Sequence, residues 1–191
     1  MSRKKFYHGS IADFKEINIY FGRTETDFGQ GFYMTNTYSH AEQIARRNAK
    51  ALNKRHNSEN INQAYVYVYE FDPDILKQFN CLEFPEIQKM TTNDWIKWID
   101  FVLMNRESNP NKIKKHNYDV IIGHTADDFT SICLNEYILG TYGTVGSEKA
   151  KLRLIDMLEV KNLPSQICIS NVELARIIDI YKIDRKVVNI C

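Results

Sequence analysis

Residues 27–35 read DFGQGFYMT, and the interpretation of this stretch decides the fold. Two of only eight glycines stand two residues apart, ahead of an aromatic pair and a hydroxyl residue. Glycine inside a strand weakens it and marks a bend or a close approach of the backbone to something else. The stretch therefore predicts a short strand, GFYMT, entered through a turn whose backbone lies against a neighbour or a ligand. On its N-terminal side KKFYHGS reads as a first strand, joined to the second by a polar loop containing Gly22 and Gly29. If the two strands are neighbours, the His8 imidazole, the bare Gly9 backbone and the Tyr33 ring converge on one cleft that suits a flat ring with polar edges. The plainer reading of YHGS is a histidine that donates to a backbone carbonyl and a glycine that permits a turn.

Toward the C-terminus, Ser39 and Glu42 form an S-x-x-E capping box for a helix with Ala41, Ile44, Ala45 and Leu52 on its inner stripe. Its outer face carries Arg46, Arg47, Lys50, Lys54 and Arg55, followed by His56. AYVYVYEFD alternates as a two-sided strand that Pro73 ends, and NCLEF is a short extended piece. Thr91 and Asp94 cap a core helix burying Trp95, Trp98, Ile99 and Val102. YDVIIG is a continuous apolar strand followed by the polar HTADD, and helical patterns run from Phe129 to Leu139 and from Ser147 to Leu158. A strand in LPSQICIS, a short helix capped by Asn171 and a last strand in YKIDRKVV complete the order. Short strands with helices inserted irregularly, rather than as βαβ units, predict an α+β fold.

At 191 residues, with 43% hydrophobic content and no repeat or linker, the chain is expected to form a single domain spanning 1–191. The 25 basic residues nearly balance the 24 acidic ones, so no global field draws the protein to nucleic acid or to a membrane. The basic helix face and the KIKKH cluster at 112–116 read as solvated surfaces. MSRKKFYHGS has no apolar run behind its basic residues, so no secretory signal, no membrane association and a cytoplasmic location are the expectations. Cys81, Cys133, Cys168 and Cys191 are scattered without metal spacing; Cys133 and Cys168 read as small core residues, and no metal is expected.

YHGS, then DFGQGFYMT, then a helix opening at Ser39 resembles the His-Tyr branch of the ADP-ribosyltransferase superfamily, whose first strand carries H-G-S/T and whose second carries G-x-Y-x-T/A. YDVIIGHTADD is similar to a later block in a group of small bacterial domains of that kind, so the resemblance runs from Tyr7 to about Ile178. It implies an ADP-ribosyltransferase-like split β-sheet core with inserted and flanking helices. It also implies NAD as the substrate, and transfer of ADP-ribose with release of nicotinamide to a protein or nucleic-acid acceptor.

Carried onto this chain, the resemblance gives His8 the adenosine-side ribose, the Gly9 backbone the carboxamide and Tyr33 the nicotinamide ring. Ser10, Phe28, Gly31 and Thr35 join the implied cofactor-binding set. Gly29 and Gly31 would let the backbone close over the dinucleotide, with Phe32 turned inward. The superfamily's late-strand glutamate falls on Gln166, which can bond a ribose hydroxyl but brings no charge to the oxocarbenium-like transition state. Loss of such a stabilising group is worth about 10²–10³ in rate. Asp127 and Asp128 read either as replacement carboxylates or as turn and capping residues. Glu136 of NEYI falls in a helical pattern rather than before a strand. An intracellular toxin or defence effector with a neutralising partner protein is the role implied. A catalytically inactive binding domain of the same fold is the alternative.

Overall fold

The computed structural model describes residues 2–55, 61–107, 114–126, 128–158 and 163–190. Asp127, His56, Lys112, Ile113 and Cys191 lie outside them, as does the side chain of Asp128. Seven strands, β1 (Lys4–Ser10), β2 (Phe32–Thr35), β3 (Gln63–Phe71), β4 (Cys81–Glu83), β5 (Val120–His124), β6 (Ser165–Ile169) and β7 (Lys182–Asn189), form one sheet. Their order is β4-β5-β6-β2-β1-β3-β7, antiparallel throughout except for the β4/β5 pair. The helices are α1 (Tyr38–Arg55), α2 (Thr92–Arg106), α3 (Asp128–Ile138), α4 (Glu148–Leu158) and α5 (Val172–Asp179), with single 3-10 segments at Pro73–Gln78 and Ile87–Lys89. The chain is α+β, as its pattern predicts. Among the described residues no helix is long and apolar enough to cross a membrane.

Alternate residues of the strands feed cores on opposite sides of the sheet. On one side Ile121 and Cys168 join Phe28, Trp95, Trp98, Leu134 and Leu154 beneath α2, α3 and α4. On the other Phe6, Phe32, Met34, Ile167 and Ile169 pack with Leu174 and Ile178 of α5. The first side continues over β3 and β7, where Ala41 and Ala45 of α1 meet Ala64, Val66 and Val188. Small side chains at i, i+4 spacing let the α1 backbone lie close to the sheet. The closeness is extreme at Gly9, where an added Cβ would stand 2.0 Å from the Ala41 carbonyl oxygen.

The caps fix where the helices of the site begin. Thr91 and Asp94 exchange side-chain and backbone bonds in a complete capping box, and Asn171 accepts from the Leu174 N–H at 3.0 Å. The α1 expectation is corrected: the helix opens at Tyr38, before Ser39, and the Glu42 carboxylate is engaged by Arg46 at 2.7 Å. Cys133 and Cys168 are buried in the core. Burial pushes the Cys168 thiol up to about 12, so it is no nucleophile at neutral pH.

Candidate functional site

The sheet is continuous in hydrogen bonding except at one seam. β1 pairs with β3 at every residue from Lys4 to Ser10, and β2 pairs with β6 at every residue from Phe32 to Thr35. Between β1 and β2 only Tyr7 and Thr35 pair. Beyond that point the edge of His8–Ser10 facing β2 has no strand partner, and such backbone groups must find side chains, water or a ligand.

His8 reaches across the seam. Its Nδ1 lies 2.6 Å from the carbonyl oxygen of Tyr33, which can only accept, so Nδ1 carries the hydrogen and Nε2 presents a lone pair. Burial lowers its pKa to about 4 against the opposing pull of that carbonyl, which keeps the ring neutral at physiological pH. The plainer reading of YHGS, a histidine bonded to a backbone carbonyl, is thus realised here. The ring stacks on Phe32 at 4.2 Å and meets the edge of Phe14 at 5.6 Å. Phe14 in turn stacks on Tyr67 at 3.9 Å and donates its N–H to the Tyr67 hydroxyl, so the imidazole sits in an aromatic box.

Tyr33 points away from that box. Cross-strand from Cys168, it runs its ring beside Phe28, and its hydroxyl lies 2.7 Å from Thr26 Oγ1, 2.7 Å from the Gly29 carbonyl and 3.1 Å from the Phe28 N–H. Burial raises its pKa far above the ordinary phenol value, so it remains a neutral hydroxyl. The two rings therefore meet through the Tyr33 carbonyl, not in one shared wall, contrary to the convergence the sequence suggests.

Gln166 lies opposite Thr35 on β2 and Gly123 on β5, on the same side of the sheet as Tyr33. Its amide donates to Asp27 Oδ2 at 3.3 Å. That carboxylate is also held by the Ala126 N–H at 2.8 Å and by Arg106 at 2.6 and 2.9 Å. Arg106 continues to the Ala126 carbonyl and the Ser131 hydroxyl. The hub ties the turn before β2 to the end of α2 and to the segment leading into α3, whose first residue is Asp128. A carboxylate thus stands beside the glutamine. No local spacing connects residues 27, 106 and 166, so sequence reasoning missed Asp27 and Arg106; the only signal was an acid opening the glycine stretch.

Several residues of the expected cofactor-binding set are accounted for by the protein itself. Phe28 is fully buried against Phe84 and Phe101 and offers no surface to a dinucleotide. Gly31 is bare because β6 occupies the space: a Cβ would fall 2.6 Å from Cys168 Sγ and 2.7 Å from the Ile169 carbonyl oxygen. Gly29 has a positive φ of 77° and makes the turn. Thr35 donates to the Ser165 carbonyl at 3.1 Å, and the Ser10 hydroxyl accepts from the Ala12 N–H at 3.0 Å. The bare faces of Gly29 and Gly31 lie against Asn105 and β6, which accounts for both glycines from within the protein. Glu136 lies in α3, as its pattern predicts, and bonds the Tyr142 hydroxyl at 2.6 Å. His124 is buried, with its ring 2.9 Å from the Pro85 carbonyl.

A family model described as a protein of unknown function (DUF3990) matches residues 4–180. No curated protein and no solved structure matches the chain.

Proposed function

The chain belongs to the DUF3990 family, and for it we propose NAD-dependent ADP-ribosyl transfer, in an ADP-ribosyltransferase-like fold whose split sheet opens at the β1/β2 seam. The observation that carries this reading is the seam: a sheet hydrogen-bonded through all its other neighbours is joined there by one residue pair, with a neutral histidine at its edge. The Nε2 lone pair of His8 suits a ribose hydroxyl, and the open edge of His8–Ser10 suits a carboxamide. Tyr33 and Gln166 stand on the β2/β6 side, and Asp128 begins the neighbouring helix.

In the reaction the C1′–N bond of NAD breaks and its electron pair leaves with nicotinamide. The acceptor's lone pair forms the new bond at C1′, and its proton passes to solvent. Gln166 would bond the proximal ribose while Asp27 contributes negative charge behind it. Because Arg106 already pairs with Asp27, that field is weaker than a free carboxylate's, and turnover is expected to be slow. The acceptor is a protein or nucleic-acid group. A cytoplasmic effector restrained by a neutralising partner is the role that fits this chemistry.

The same pairing favours a second reading, a catalytically inactive domain that binds NAD or ADP-ribose. Nicotinamide release and NAD-induced thermal shift, measured together for the wild type, His8→Ala, Tyr33→Ala, Gln166→Ala and Gln166→Glu, separate the two. Release abolished by His8→Ala supports the enzyme, and a shift without release supports the binder. Neither signal in the wild type, with an acceptor lysate present, removes NAD from the account.

A further inference from the structure

A cavity of about 190 Å³ opens beside the turn that holds Tyr33. Its lining includes Tyr20, Gly29, Gln30, Lys114, Lys115 and His116. Two lysines and a histidine line it and none of its lining residues is acidic, although acids and bases are balanced over the whole chain. Local charge of one sign in a concave site concentrates the opposite ion.

The cations divide their work. Lys115 is engaged with the α2 end, its ammonium 2.7 Å from the Met104 carbonyl, 3.2 Å from that of Glu107 and 3.4 Å from the Glu107 carboxylate, so its charge is largely spent there. Both amide hydrogens of Gln30 serve the carbonyls of Tyr20 and Gly22, which makes Gln30 a fixed wall. Lys114 is exposed and lines the cavity, so its ammonium is the cation within reach of a ligand there. His116 bonds the Phe28 carbonyl through Nε2 at 3.0 Å, while its Nδ1 is buried without a hydrogen-bond partner. A buried ring nitrogen left unpaired is costly, and an arriving oxyanion that brings its proton resolves it.

We infer that this cavity binds a phosphate group, contacted by Lys114 and His116. A lone phosphate would leave part of the volume empty, and the exposed Tyr20 ring at the rim offers a stacking surface for a nucleoside attached to it. Binding here does not depend on NAD turnover. It would nevertheless be felt at Tyr33, whose hydroxyl bonds the Gly29 carbonyl.

Backbone amide shifts of the whole protein, titrated with inorganic phosphate, AMP and NAD at fixed ionic strength, test the site. Saturable shifts centred on Gly29, Gln30 and Lys114–His116 are expected. Lys114→Ala should weaken binding by about tenfold or more, since a charge-assisted contact is lost. Lys114→Arg should retain it, as should Lys50→Ala on the exposed face of α1. AMP binding more tightly than phosphate, and losing that advantage in Tyr20→Ala, identifies a nucleotide; equal affinities identify the free anion. Shifts that do not saturate, or that Lys114→Ala leaves unchanged, overturn the assignment. Nicotinamide release in the His8 and Tyr33 variants scores the transferase reading separately.

Discussion

β1 shows two different edges to its neighbours. Toward β3 it is paired at all seven residues, whereas toward β2 it is paired at Tyr7 alone. The same strand is thus structural on one edge and open on the other. One face of β1 is closed as well, since α1 packs so tightly over Gly9 that no side chain fits there. The open edge is bridged by an imidazole, a group that a polar ligand can replace or recruit. Glycine and histidine stand side by side in YHGS and serve opposite ends of this contrast.

The largest effect expected is at the closed side. In Gly9→Ala the new methyl would meet the Ala41 backbone oxygen at 2.0 Å, which only displacement of α1 relieves. Such overpacking against backbone should cost about 3 kcal/mol or more. Gly31→Ala should behave similarly against Ile169, while Gly22→Ala, whose nearest atom is 3.4 Å away, should change stability by less than about 0.5 kcal/mol. Urea unfolding of the three variants measures this. A normally stable Gly9→Ala protein that had lost only ligand affinity would return the glycine to the cleft.

These glycines also show what could and could not be read in one dimension. The core helix was legible because Thr91, Asp94 and the apolar period after them are local signals, and β5 because a continuous apolar run has to be buried on both faces. That YHGS and GFYMT lie on neighbouring strands was only a condition for the cleft at the level of sequence, and the structure meets it. The reason for the glycines was not legible, since a bare backbone looks the same whether β6 or a nucleotide lies against it. Ser39 and Glu42 match a capping box by spacing, but Arg46 one turn on competes for the carboxylate. Phe28 was set at the cleft by the resemblance; the turn at Gly29 sends it into the core instead. The Asp27 hub joins residues 79 and 139 positions apart, and no periodicity records that.

That hub is the second point at which the comparison can be sharpened, because it fastens the β2 side of the seam. Arg106→Ala leaves Asp27, whose side chain is 14% exposed, without its cation, while Ser131 keeps only its bond to the Ala126 carbonyl. Removing one member of a buried pair costs about 3–5 kcal/mol, and with Arg106 itself 25% exposed about 2 kcal/mol is expected. Thermal unfolding tests the figure. The loss should be smaller when Asp27→Asn is already present, since the orphaned charge is then gone.

The open edge should respond to pH with a definite sign. His8 titrates near 6.5 when unfolded and is lowered to about 4 when folded. Between those values the unfolded chain holds the extra proton, so stability is complete above about pH 6.5 and falls as the pH drops toward 4. The ring keeps some solvent access, which limits the contribution to about 2 kcal/mol. His40 and His116 are lowered by burial as well, so the His8 share is the difference between wild type and His8→Gln in denaturant titrations across that range. A difference that does not change with pH would mean that the seam does not lower the His8 pKa, and one that favours the wild type more as the pH falls would mean that the folded protein holds the ring protonated, with no lone pair to offer.

The smallest expected effect separates the Tyr33 ring from its hydroxyl. The hydroxyl holds the 26–29 turn by bonding near Thr26, Phe28 and Gly29, whereas the ring fills the space beside Phe28. Tyr33→Phe keeps the ring and releases the turn, at a cost of about 1 kcal/mol, the usual net worth of a hydrogen-bonded hydroxyl. Hydrogen exchange should quicken at the Phe28 amide, while β2 amides paired to β6 stay protected. If the ring alone serves a bound nicotinamide, NAD affinity should survive in Tyr33→Phe and vanish in Tyr33→Ala. If NAD affinity falls equally in both, the hydroxyl acts by holding the turn, and the route from seam to ligand passes through Gly29 rather than through the face of the ring.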